Sequence, residues 1–136
     1  HLRARTNWVN GLKNSYLQDV EEIYKLRCLK ENTKPQKLSL TADEIRLSRL
    51  IPVRTELMSG YFDFMKFQEK LKDIKDKPPY SLGRAESGVR NFIDGKRSIL
   101  EIRNGVSAEL EPAKLKDVEN YILVLEKAGF VTIQKK

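Results

Sequence analysis

A mainly α-helical chain that closes on one short strand is the fold class this sequence predicts, and three observations predict it. Apolar residues recur at steps of three and four along most of the 136 residues, the period of an amphipathic helix. Two capping boxes, Thr41-Ala-Asp-Glu44 and Ser98-Ile-Leu-Glu101, mark helix starts: the hydroxyl serves a free amide while the Glu reaches back. A short alternation of apolar and polar residues, Val131-Thr-Ile133, stands near the end of the chain, as a half-buried strand would.

The longest helix is expected over 1–30. Trp8, Leu12, Tyr16, Val20, Ile23 and Arg27 fall at helical spacing, and Val9, Leu17, Tyr24 and Leu26 widen the stripe. A helix apolar on more than one side packs between two bodies. In one reading the helix packs on the rest of this chain. The other reading is a part of a parent protein that lies elsewhere. Gly11 is the one weak point, at about 1 kcal/mol in a helix interior. The chain opens on His1 rather than Met, and its first residues already have a helical pattern. This predicts a piece of a longer protein, with His1 left over from the cut.

Residues 31–40 read as a linker, with Pro35 ending the helix. The Thr41 box opens a short helix to about Arg49. Pro52 then forces an extended segment, and Ser59-Gly60 allows a turn. A helix is expected over 62–76, with Phe64, Phe67, Leu71 and Ile74 as its apolar stripe. Lys77-Pro78-Pro79-Tyr80 ends it, and the domain boundary is placed there: a helical extension over 1–80 and a compact module over 81–136.

In the module, a helix from Arg84 carries Ala85, Val89, Phe92 and Ile93 inward, and Asp94-Gly95 turns the chain. The Ser98 box opens a second helix, which Gly105 ends or weakens. Pro112 suits the first position of a third, where its missing amide proton does no harm. Leu115, Val118, Ile122 and Leu125 form the buried side of that helix. Gly129 is set as a left-handed cap with Phe130 behind it. Three helices and then a strand is the plan of a winged helix-turn-helix.

The formal charge is +7, and five of those seven net charges lie before residue 84. A basic chain admits nucleic acid as a partner, but here the excess is not gathered on the module that would read it. Cys28 is the only cysteine, which excludes an intramolecular disulfide and is compatible with a reducing, cytoplasmic setting. No apolar run approaches the roughly 20 residues a bilayer-spanning helix needs, so no membrane partner is expected. With one His and one Cys, neither a zinc site nor a Ser-His-Asp or Cys-His arrangement can be assembled. No carboxylate pair stands apart from the charged helix surfaces. Asp94-Gly95-Lys96-Arg97 lacks the glycine spacing of a phosphate loop. No catalytic residue, metal ligand or cofactor is assigned in this chain.

The side of the last helix opposite its apolar stripe carries Lys116, Asn120, Leu123 and Lys127, flanked by Glu119 and Val124. Lys and Asn suit phosphates and adenine edges. Leu123 and Val124 sit in the middle of that face, and Asp117, Glu119 and Glu126 surround it with charge that DNA repels. This favours a protein-docking face formed by Lys116, Glu119, Asn120, Leu123, Val124 and Lys127. The alternative is a DNA-binding module using Arg97, Lys116, Asn120, Lys127, Lys135 and Lys136.

The run from Phe92 to Val131 contains DGKRS (94–98), LEIR (100–103), VSAE (106–109), then Leu115, Val118, Tyr121 and LEKAGFV (125–131). It resembles the C-terminal winged-helix-like region attached to di-zinc aminopeptidases of the glutamate-carboxypeptidase-like class. Residues 48–64 look like the stretch that precedes this region there. Two positions depart from the pattern: Gly105 stands where the helix usually continues, and Phe130 replaces the commoner Leu. The resemblance implies a non-catalytic C-terminal domain serving protein–protein or interdomain packing. Its partner would be the catalytic domain of the parent chain or a second subunit, and zinc would belong to the parent alone.

Overall fold

A computed structural model describes residues 2–36 and 39–136, so the expectations for His1 and for part of the linker lie outside the described residues. The chain divides into two compact units, His1–Ser39 and Leu40–Lys136.

The first unit is built on α1 (Leu2–Lys30). Its end is set by Asn32, which takes the left-handed conformation (φ 54°) that a short polar side chain tolerates. The Thr33 amide donates to the Cys28 carbonyl at 2.8 Å and the Asn32 amide to Leu29 at 3.2 Å, which satisfies carbonyls the helix leaves free. The chain then runs back along the last turns, where the Gln36 amide donates to the Tyr24 hydroxyl at 3.1 Å. Cys28 is buried at this end. Gly11 has nothing within 4 Å of the position its Cβ would take. Gly11→Ala is therefore expected to stabilise α1 by about 0.5–1 kcal/mol, read as higher helicity by circular dichroism; an unchanged spectrum would contradict it.

The second unit is mainly helical with a two-stranded antiparallel sheet. It runs α2 (Ala42–Leu47), β1 (Leu50–Arg54), a single 3₁₀ turn (Glu56–Met58), α3 (Phe64–Lys72), α4 (Ala85–Phe92), α5 (Ile99–Glu109), α6 (Leu115–Lys127) and β2 (Val131–Lys135). Both capping boxes form as expected, Thr41 on Glu44 and Ser98 on Glu101. Gly129 adopts φ +81°, and the Phe130 amide donates to Leu125 at 2.9 Å, so the chain leaves α6 by a left-handed cap straight into β2. β2 finds its partner far upstream: Val131 stands opposite Arg54 and Lys135 opposite Leu50. Pro52 is accommodated because a two-stranded sheet is all edge.

Three expectations need correction, and of the two alternatives for Gly105 one is excluded. The boundary at residue 80 does not separate cores: Leu47, Met58 and Phe67 are buried in the same cluster as Val89, Ile102 and Tyr121. The helix expected over 62–76 is shorter, because Asp63 caps it through the Lys66 amide and the chain turns at Asp73. Gly105 does not end α5, which continues to Glu109. A Cβ there would lie 2.6 Å from Phe92 Cε1, so the glycine is the notch in which α4 and α5 approach. Pro112 does not open α6, which starts at Leu115. Residues 110–114 form a turn instead, held by the Ala113 amide on the Ser107 hydroxyl at 3.1 Å. Glu111 is pulled aside to accept from the Arg84 and Ala85 amides at the start of α4, at 3.1 and 3.3 Å.

α6 is the axis of the core. Phe67 of α3, Tyr121 of α6 and Phe130 pack as tilted and edge-on rings with Phe62, at centroid separations of 5.3–6.4 Å. The Tyr121 hydroxyl accepts from the Arg90 guanidinium, and burial pushes its ionisation well above the usual phenol range.

Candidate functional site

The face of α6 expected to point outward is a covered face. Glu119, Asn120 and Val124 are buried and Leu123 is half-buried. Residues 41–80 supply the cover. Arg46 of α2 reaches across with Nη1 2.7 Å from Glu119 Oε1, and Lys116 Nζ lies 3.1 Å from Glu119 Oε2. Asn120 Nδ2 donates to the Pro79 carbonyl at 2.6 Å, and Lys127 Nζ to the Asp76 carbonyl at 2.6 Å. The Pro78-Pro79 stretch is thus a strap tied to α6. Of the six residues expected to dock, only Lys116 and Lys127 are exposed, and both already bond within the unit.

The remaining candidate DNA contacts stand elsewhere. Arg97 pairs with Asp94 at 3.5 Å and lies over the Phe92 ring at 4.8 Å. Lys135 and Lys136 are exposed at the end of β2, and the Lys136 amide donates to Arg49. Arg97 and Lys136 both lie near Glu101, whose carboxyl is held down first by the Ser98 amide and then by these charges. Base-reading geometry needs an exposed helix face, and Asn120 does not offer one.

Nor does the unit present an acid–base pair. The carboxylates that shift, Glu44, Asp94, Glu101 and Glu119, all shift downward. The first three are lowered chiefly by backbone amides of Thr41, Arg97 and Ser98, and Glu119 by Arg46. That is the direction of paired structural groups, opposite to a proton donor poised near neutrality. An open cleft is lined by Arg54, Tyr61, Phe62, Phe64 and Arg90. Its guanidinium groups are engaged: Arg54 donates to the Arg90 carbonyl at 2.9 Å, and Arg90 bonds Glu86 and rests over Phe62. Among the described residues, no three His, Cys, Asp or Glu side chains stand where they could hold a metal ion. No described helix is long and apolar enough to cross a membrane.

What the chain does expose is the apolar side of α1. Trp8 is 67% exposed, Tyr16 66% and Ile23 64%, and Val9, Leu12, Leu17, Val20, Tyr24, Leu26 and Leu29 are exposed as well. Single exposed apolar residues are ordinary, whereas these recur along successive turns of one helix. The candidate site therefore moves from α6 to α1. No known protein family, curated protein or solved structure matches the chain.

Proposed function

We propose that this chain is a non-catalytic interaction domain of a larger, metallopeptidase-like protein, in which α1 docks on protein and the unit 40–136 is a packed scaffold. The observation that carries the reading is the exposed apolar row of α1. Ten large side chains left in water favour association through the area they would bury. The DGKRS…LEIR…VSAE phrase supports the class of the parent. The order α4, α5, α6, β2 is compatible with the winged-helix-like region that phrase resembles. In this reading the parent's zinc is held by its catalytic domain, and the residues of this chain serve packing alone.

Hydrogen exchange on the assembled parent protein tests the docking role. The α1 amides from Trp8 to Leu26 are expected to be protected there, to the level of the core helices. Exchange as fast as that of a free helical peptide would contradict the reading. The purified chain supplied with zinc is expected to leave aminoacyl substrates intact, and turnover by it would contradict the non-catalytic assignment.

A further inference from the structure

We infer that the partner of α1 is a second copy of this chain, with the two α1 helices side by side and antiparallel. The inference rests on the docking role of α1 and names its occupant.

Six residues of α1 follow a seven-residue repeat: Val9, Leu12, Tyr16, Asp19, Ile23 and Leu26. At about 100° per residue they fall within a sector of about 100°, the width of a seam that faces one helix. The seam runs about 26 Å along the axis. The side opposite it carries Asn14, Gln18, Glu21 and Lys25, which suit water. Leu17 and Tyr24 lie outside the sector, and the returning segment already occupies the Tyr24 hydroxyl. All six seam residues are exposed.

The identity of the occupant comes from the two seam residues that carry polar groups, Tyr16 and Asp19. In an antiparallel pair of the same sequence, Val9 meets the partner's Leu26 and Leu12 meets the partner's Ile23. Tyr16 then meets the partner's Asp19. Every apolar seam residue faces an apolar one, and the only acid faces the only hydroxyl. The Tyr16 phenol donates to the carboxylate twice per dimer by symmetry. A parallel, in-register pair would set Asp19 against the partner's Asp19, two like charges in a drying seam. A single polar contact in an apolar seam is a known way to fix register and orientation.

The test uses the full chain. Sedimentation is expected to show a monomer passing to a dimer as concentration rises. Tyr16→Phe, which removes the donor to a seam carboxylate, is expected to weaken the dimer at least about tenfold. The orientation is read by cross-linking in a Cys28→Ser background. The double variant Leu12→Cys/Ile23→Cys should form an inter-chain disulfide under mild oxidation, and neither single variant should. Cross-linking by Leu12→Cys alone, or a Tyr16→Phe dimer as tight as the parent chain's, would overturn the inference. So would a chain monomeric at every concentration. That last result would leave the docking role itself standing or falling on the exchange protection of α1 in the parent protein.

Discussion

Phe67→Ala is expected to cost the unit from Leu40 to Lys136 about 3–5 kcal/mol, the usual range for truncating a buried aromatic residue. Phe67 is fully buried and sits edge-on to both Tyr121 and Phe130, at 6.4 and 5.5 Å between ring centroids. Rigid neighbours on α6 and at the entry to β2 cannot collapse into the space it leaves, so the cavity adds to the lost transfer energy. Small domains have a stability of about 5–15 kcal/mol, so the variant loses a large share of it. The measurement is urea unfolding followed by circular dichroism. Phe67 lies before residue 80, in the region that the sequence assigns to a helical extension. A loss under about 1 kcal/mol, or a separate transition for α3, would restore that boundary. A single transition with the full loss places α2 to α3 inside the module.

Features that rest on a few neighbouring residues were legible in the sequence. Thr41 with Glu44, Ser98 with Glu101, and Gly129 with Phe130 each fix a helix end through bonds within five residues, and all three form as read. What the sequence hid depends on residues far apart. A helical wheel identifies one buried side of α6, but it cannot show that a second side is covered. The cover comes from Arg46, 73 residues before Glu119, and from Pro79, 41 residues before Asn120. Two prolines in a row announce the end of a helix; they do not say whether the chain departs or is strapped down. Within its own helix Gly105 can only look like an end or a weak point, and its role belongs to Phe92 on α4. On α1 the polarity of the wheel was legible. What covers that helix is not written in the wheel, because an apolar face looks the same whichever body it meets.

Arg46→Met is expected to destabilise the same unit by about 1–3 kcal/mol at neutral pH, with the penalty fading in acid. Methionine keeps the apolar stem of the side chain but removes the charge that faces Glu119. The Glu119 side chain is only 9% exposed, against 46% for Arg46, so the carboxylate is the partner that cannot return to water. It would be left with Lys116, a flexible and mostly exposed donor. The sign of the pH dependence follows from Glu119. In the parent chain Arg46 holds its carboxyl below the usual range, so the folded state binds this proton less readily than the unfolded state. That contribution is present above the unfolded carboxylate value of about 4.3 and is lost as pH falls through the lower folded value. Without Arg46 the largest lowering cause is gone and burial pushes the other way. Glu119 of the variant then takes up its proton at a higher pH, which relieves the buried charge. Glu44, Asp94 and Glu101 are lowered in both proteins, so both lose stability in acid and only the gap between their curves reports on Glu119. Unfolding of the two proteins from neutral pH down to the carboxylate range measures that gap. A gap that stays constant with pH would mean that Arg46 acts through packing alone. A gap that closes identifies Glu119 as the clamp that holds α2 on α6, which is why this face is not available for docking.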